Sequence, residues 1–180
     1  MSKNLKKSQE SQKSEWKLKY ELVPEDDPIL RETLSDFNFL DPPVDPIELA
    51  HELAQHCMHY AGIGLASNQI GLPYRAFCIL AQEIIVAYNP VIVDRSETKQ
   101  YEMEEACLSL PGIVAKVKRP ESIKVRYTLP NSERITRIYT GMTARVMQHE
   151  IDHLNGILFI DHLSKLAYDM ALKKAEKRNG

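Results

Sequence analysis

Cysteine is scarce in this chain, with Cys57, Cys78 and Cys107 the three in 180 residues. So small and odd a set forms no disulfide framework and points to a reducing compartment. Long apolar runs are missing too. No stretch approaches the roughly 20 residues that cross a bilayer, so no membrane partner is expected. Neither sign of charge dominates: 23 Lys and Arg against 25 Asp and Glu leave a net charge of −2, which offers no general field for DNA or an anionic membrane. The N-terminal stretch 1–19 is rich in Lys, Ser, Gln and Glu and has neither arginine nor an apolar segment. It reads as a disordered polar tail, without the features of a secretory signal or transit peptide. The remainder, 20–180, is expected to form a single domain, long enough for a sizeable core.

What is present reads as alternating helix and strand signals. After the break Leu40–Pro46, whose prolines restrict the residues before them, Asp45 is placed as an N-cap with Pro46 in the first turn of a helix over 46–60. Ile47, Ala50, Ala54, Cys57 and Met58 recur there at helical steps, and Gly62 and Gly64 are expected to end the helix and open a loop. Strands are expected at 76–80 and 84–88. Ile123, Val125 and Tyr127 alternate with Lys124, Arg126 and Thr128, and 133–139 repeats the pattern after the turn Pro130-Asn131-Ser132, which makes an antiparallel hairpin. A second helix is predicted over 142–154, closed by Asn155-Gly156. A third begins near Ser164, with Leu163, Leu166, Ala167 and Met170 on one face and Lys173, Lys174 and Lys177 at its end. The class is α+β: small antiparallel or mixed sheets around a central metal-binding helix, flanked by an N-terminal and a C-terminal helix.

The chemistry concentrates on the second helix. His149-Glu150-Ile151-Asp152-His153 is an H-E-x-x-H sequence. Its two histidines lie just over one turn apart, so both imidazoles reach one cation, with Glu150 beside them to take a proton from a water held there. Met142, Val146, His149 and His153 form one stripe, next to an apolar row of Met147, Ile151 and Leu154. Asp152 is expected on the far side, and His51, His56, His59 and His162 are read as solvated or packed histidines. A third ligand is needed. Asp161 follows His153 by eight residues. Cys107 lies in Glu104-Glu105-Ala106-Cys107-Leu108-Ser109, an otherwise unexplained stretch between strands, and a thiolate suits Zn²⁺ or Fe²⁺. An isolated cysteine is more often a small buried hydrophobe.

Three segments, in order, resemble the peptide deformylase family. Gly62-Ile63-Gly64-Leu65-Ala66-Ser67-Asn68-Gln69 is similar to its G-x-G-x-A-A-x-Q, Glu105-Ala106-Cys107-Leu108-Ser109 to its E-G-C-x-S, and Gln148-His149-Glu150-Ile151-Asp152-His153-Leu154 to its Q-H-E-x-D-H-L. Asp27-Pro28-Ile29-Leu30-Arg31 resembles the usual start of the domain, so the likeness spans about 20–165. Two departures stand out: Ala106 for a glycine, which would be strained if the backbone there needed positive φ, and Ser67 for an alanine.

The resemblance implies removal of the formyl group from N-formylmethionine at the start of new polypeptides, with release of formate. It implies one divalent ion on Cys107, His149 and His153, with Fe²⁺ expected and Zn²⁺, Ni²⁺ or Co²⁺ able to occupy the site. Glu150 is then the general base and acid. Gln69 and the backbone N–H of Leu108 donate to the formyl oxygen. Met142 and Val146 line the methionine pocket, and the backbone of Ile63 and Gly64 forms the edge along which the peptide lies. Glu105 orients a ligand. The expected partners are N-formylmethionyl peptides and ribosome-associated nascent chains, met by a monomer in a bacterial cytoplasm or supplied there by a virus, rather than in an organelle. Two alternatives are a zincin-like metalloendopeptidase with a carboxylate third ligand, for which Cys107 is dispensable, and a non-catalytic metal-stabilised binding module, which needs neither Glu150 nor Gln69.

Overall fold

Asp45 accepts hydrogen bonds from the backbone of Ile47 (2.7 Å) and Glu48 (3.0 Å). It thereby starts helix α1, Pro46–His59, in the computed structural model, which describes residues 18–179. Most of the expected polar tail, 1–17, lies outside the described residues. The buried face of α1 is Leu49, Ala50, Leu53, Ala54 and Cys57. Ile47 and Met58, assigned to that face from their spacing, are 53% and 42% exposed. The true stripe is turned by about one residue and centres on the two leucines.

Gly64 opens a strand rather than a loop: β1, Gly64–Ala66, pairs with β2, Ala76–Leu80. The strand expected at 84–88 continues as β3, Ile84–Arg95, through register shifts at Tyr88/Val91 and Ile92/Asp94. Asn89 takes a positive φ at the first of these (49°), an irregularity that interrupts the alternation. β6, Ser122–Thr128, and β7, Arg134–Thr140, form the predicted hairpin. These strands make one antiparallel sheet in the order β1-β2-β3-β6-β7. A second sheet, unread from the sequence, is the hairpin of β4, Gln100–Cys107, and β5, Leu110–Pro120. β4 exposes most of its side chains, so its alternation carries little hydrophobic signal.

Helix α2, Gly141–Leu154, lies on the five-stranded sheet. Ala144, Met147, Ile151 and Leu154 share a core there with Phe77, Ile79 and Val125. Burying each large side chain of this set is worth roughly 1.5–3 kcal/mol. α1 closes a second core with Leu65, Cys78 and Tyr88. Helix α3, Lys165–Asn179, packs on β5 through Ala171 and Ala175. The face predicted for α3 does not do this, since Leu166 and Met170 are 71% and 53% exposed. Two small residues let the helix sit close to the hairpin, which a count of large apolar residues does not reveal. No helix among the described residues is long and apolar enough to cross a membrane.

Candidate metal centre

α2 carries both histidines and is fixed at its C-terminal end. After Leu154 the chain turns through Asn155 to Gly156, whose φ of 72° and contact with the Arg31 backbone leave no room for a β-carbon. The His149 and His153 rings lie 5.1 Å apart. Cys107 ends β4 at a register shift after Ala106, and its Sγ lies 3.1 Å from His153 Nε2. One donor atom from each of Cys107, His149 and His153 lies within 4.8 Å of the others.

The donor set fits a divalent cation. His149 Nδ1 is 3.1 Å from Glu105 Oε2, which commits that nitrogen as a donor and leaves Nε2 with its lone pair free. Burial, then the neighbouring His149 and Arg119, pull the His153 pKa well below its ordinary value, so the imidazole is neutral and able to ligate. Burial pushes the Cys107 thiol up to about 12, against backbone donation from Ser109 and Leu110. A cation is what makes a thiolate at such a place, and the two backbone donors suit it. Glu150 is 2% exposed, and its Oε2 has no hydrogen-bond partner. Burial, followed by the nearby Cys57, raises its pKa well above 4.5, which makes it a better proton acceptor than a free carboxylate.

Gln69 comes from a short 3-10 turn, Ser67–Ile70, just after β1. Its Oε1 accepts from Ala66 N at 2.9 Å, and its Nε2 donates to Ser109 Oγ at 3.0 Å and lies 3.5 Å from Cys107 Sγ. Both Nε2 hydrogens therefore have partners, and the longer, weaker one to Cys107 Sγ is the one that a ligand oxygen would displace. Asn68 donates to His153 O at 2.8 Å, tying this turn to α2. The Ser67 hydroxyl donates to the Tyr74 carbonyl, so a serine is satisfied where the resemblance has alanine. Ala106 has no positive φ, and the strain considered for it does not arise.

The expected site residues other than the buried His153 line one cleft of about 420 Å³. Ile63 and Gly64 line one wall and Leu108 adjoins Cys107; Val146 and Met142 lie above His149 on α2. Val146 is buried and Met142 half exposed at the mouth. Asp161 is elsewhere, bonded to Arg31 and to Leu158 N, which removes it as a third ligand. His56 is a packed histidine between Glu52 and Tyr20 backbone groups. His162 is not merely solvated: its Nε2 lies 2.8 Å from Asp152 Oδ2.

The sequence reading missed two arginines. Arg119 grips Glu105 with two nitrogens (2.7 and 2.9 Å) and Asp152 with a third (2.7 Å). Arg145 adds a bond of 2.5 Å to Glu105 Oε1. Burial would raise the Glu105 pKa, but hydrogen bonds from His149 and Arg119 outweigh it and hold the carboxyl well below its ordinary value. A usable signal existed. Arg145 stands between Ala144 and Val146 on the inward face of α2, where a cation demands a carboxylate partner.

A model of the polypeptide deformylase family matches residues 19–168. The chain is 41% identical over 157 residues to a peptide deformylase of Mesorhizobium japonicum, covering 84% of this chain and 88% of that protein. It is 40% identical over 157 residues to one of Agrobacterium fabrum, covering 84% and 91%. A crystal structure of a peptide deformylase from Synechococcus elongatus in complex with actinonin superposes with a TM-score of 0.80 at 32% identity, over 90% of this chain and 88% of that one. The Thermus thermophilus peptide deformylase structure gives 0.79 at 33% identity, over 88% and 96%.

Proposed function

The chain belongs to the polypeptide deformylase family, and from that premise we propose that it hydrolyses the N-formyl group of N-formylmethionyl polypeptides, releasing formate and a free α-amine. The observation that carries the reading is the meeting of Cys107, His149 and His153, the first two of which line a cleft together with Glu150 and Gln69.

A divalent cation held by Cys107, His149 and His153, which we take to be Fe²⁺ with Zn²⁺, Ni²⁺ or Co²⁺ as substitutes, supplies the Lewis acidity that makes water nucleophilic near neutral pH. Glu150 accepts the proton of the attacking water and returns it to the departing amine, a task suited to its raised pKa. Gln69 Nε2 and the backbone N–H of Leu108 donate to the formyl oxygen as it gains charge. Val146 and Met142 receive the methionine side chain, and the free edge of β1 at Ile63 and Gly64 pairs with the peptide backbone. Glu105 holds His149 in the ligating tautomer. The bacterial relatives support work in a bacterial cytoplasm on nascent chains, and we take the active form to be a single catalytic domain acting as a monomer.

The test is formate release from a formyl-Met-Ala-Ser peptide by protein purified without air. Turnover by the natural sequence, its loss in Glu150→Ala with metal retained, and metal loss in Cys107→Ala are expected. A metal-loaded protein that releases no formate overturns the reading.

A further inference from the structure

One short segment, the 3-10 turn Phe159–His162, backs His149 directly through Phe159 and indirectly through His162. The Phe159 ring stacks on the His149 ring with centroids 6.0 Å apart. Three residues on, His162 Nε2 meets Asp152 Oδ2 at 2.8 Å, and that same oxygen accepts Arg119 Nη1 at 2.7 Å. The remaining nitrogens of Arg119 hold Glu105, whose Oε2 lies 3.1 Å from His149 Nδ1. The turn is itself pinned, because Asp161 pairs with Arg31 and accepts from Leu158 N.

We infer that His162 is a positioning residue for the ligand His149, acting through Asp152, Arg119 and Glu105. The relay crosses the protein. His162, Asp152 and Arg119 line a rear cavity of about 470 Å³ behind α2, which shares no lining residue with the front cleft. The side chains of Arg119 and Glu105 are each 5% exposed, that of Asp152 19%, and that of His162 38%. Its solvent end is therefore the weakest link. With His162 in place, the Asp152 carboxylate is held toward Arg119. Without it, that carboxylate is free to turn to water, and Arg119 loses the partner that fixes the plane of its guanidinium against Glu105. A planar fork gripping two carboxylates transmits orientation in a way a point charge does not.

The inference rests on the metal reading of the site, and its test does not use formate release. Co²⁺ affinity is measured by chelator competition on the full chain for the natural sequence, His162→Ala, His162→Gln and His162→Ala in an Asp152→Asn background. Removing a direct partner of a ligand typically weakens metal binding 10–100-fold. At this greater remove His162→Ala is expected to lose about 3–10-fold, while the glutamine amide, able to donate to Asp152, restores affinity to within about twofold. His162→Ala adds nothing once Asp152 is Asn. Unchanged affinity in His162→Ala, or an equal loss in His162→Gln, overturns the relay while leaving the metal centre standing. A natural sequence that takes up no Co²⁺ overturns the metal centre and the relay together.

Discussion

Gly64 and Glu150 occupy one space: a β-carbon on residue 64 would fall against Glu150 Oε1 and 2.7 Å from Val146 Cγ1. The glycine at the start of β1 is required for close approach, since its φ is not positive. Gly64→Ala is expected to displace the Glu150 carboxylate and lower kcat by about 10–100-fold, because a misplacement near 1 Å costs on that order. Metal content measured on the same sample is expected to be unchanged, since residue 64 touches no ligand. Loss of metal along with activity would contradict this.

Glu150 also sets a stability cost. Its pKa is raised in the fold, so its contribution is present below the unfolded value near 4.5 and lost as pH rises through the folded value. Glu150→Gln removes that loss. In urea titrations of metal-free protein the variant is expected to be the more stable by roughly 1–3 kcal/mol at about pH 8, with the gap closing toward about pH 5. His153, depressed by burial, shifts both proteins alike, so the difference isolates Glu150. A gap that does not change with pH would count against this account.

Metal uptake must displace the Cys107 proton. With the thiol pushed up to about 12 and His153 already neutral, one proton should leave per ion bound. Apparent Zn²⁺ affinity is therefore expected to rise about tenfold per pH unit between about pH 7 and 9. A flat profile in chelator competition would mean that the thiol is ionised before the ion arrives.

Glu105→Gln leaves Arg119 and Arg145 without the carboxylate that both grip. Breaking a buried network of this kind costs about 3–5 kcal/mol; with the amide oxygen kept at Oε1 by the two arginines, the amide nitrogen faces His149 Nδ1, and losing that acceptor weakens metal binding about 10–100-fold. Thermal melts with and without metal separate the two effects.

Ala106→Gly should be close to silent. Residue 106 sits in β4 without positive φ, exposed at the edge of the cleft. Turnover is expected to stay within about twofold, with a stability loss below about 1 kcal/mol from the added backbone freedom. A large gain in activity would show that the Ala106 methyl obstructs the site.

Much of the centre was legible because its chemistry is local. The step from His149 to His153 is one helical turn, and Asp45 and Pro46 mark a helix start by stereochemistry that needs no tertiary partner. The β6–β7 hairpin was readable from strict alternation. The unread parts depend on distant segments. β4 shows most of its side chains to solvent, so nothing in Gln100–Cys107 announces a strand until β5 is placed beside it. The grip of Arg119 on Glu105 joins neighbouring strands, and its grip on Asp152 reaches another element 33 residues away. α3 was assigned the wrong face because Ala171 and Ala175 make a close contact, while the larger Leu166 and Met170 stay outside.

The two halves of the proposed metal site are anchored in different cores, bridged where Phe159 stacks on His149. Cys107 lies in a cluster with Val117, Phe159 and Ala171, while Met147 and Ile151, between and beside the histidines, pack with the five-stranded sheet. An ion shared between them would act as a clasp across that seam, and local opening of the β4–β5 hairpin would have to break it. Amide hydrogen exchange within 100–120 should therefore slow on metal binding by up to the full free energy of that binding, while strands on the far side of the sheet slow only insofar as they open globally. The hairpin that carries Cys107 is then the part of the molecule whose breathing would report whether the site is loaded.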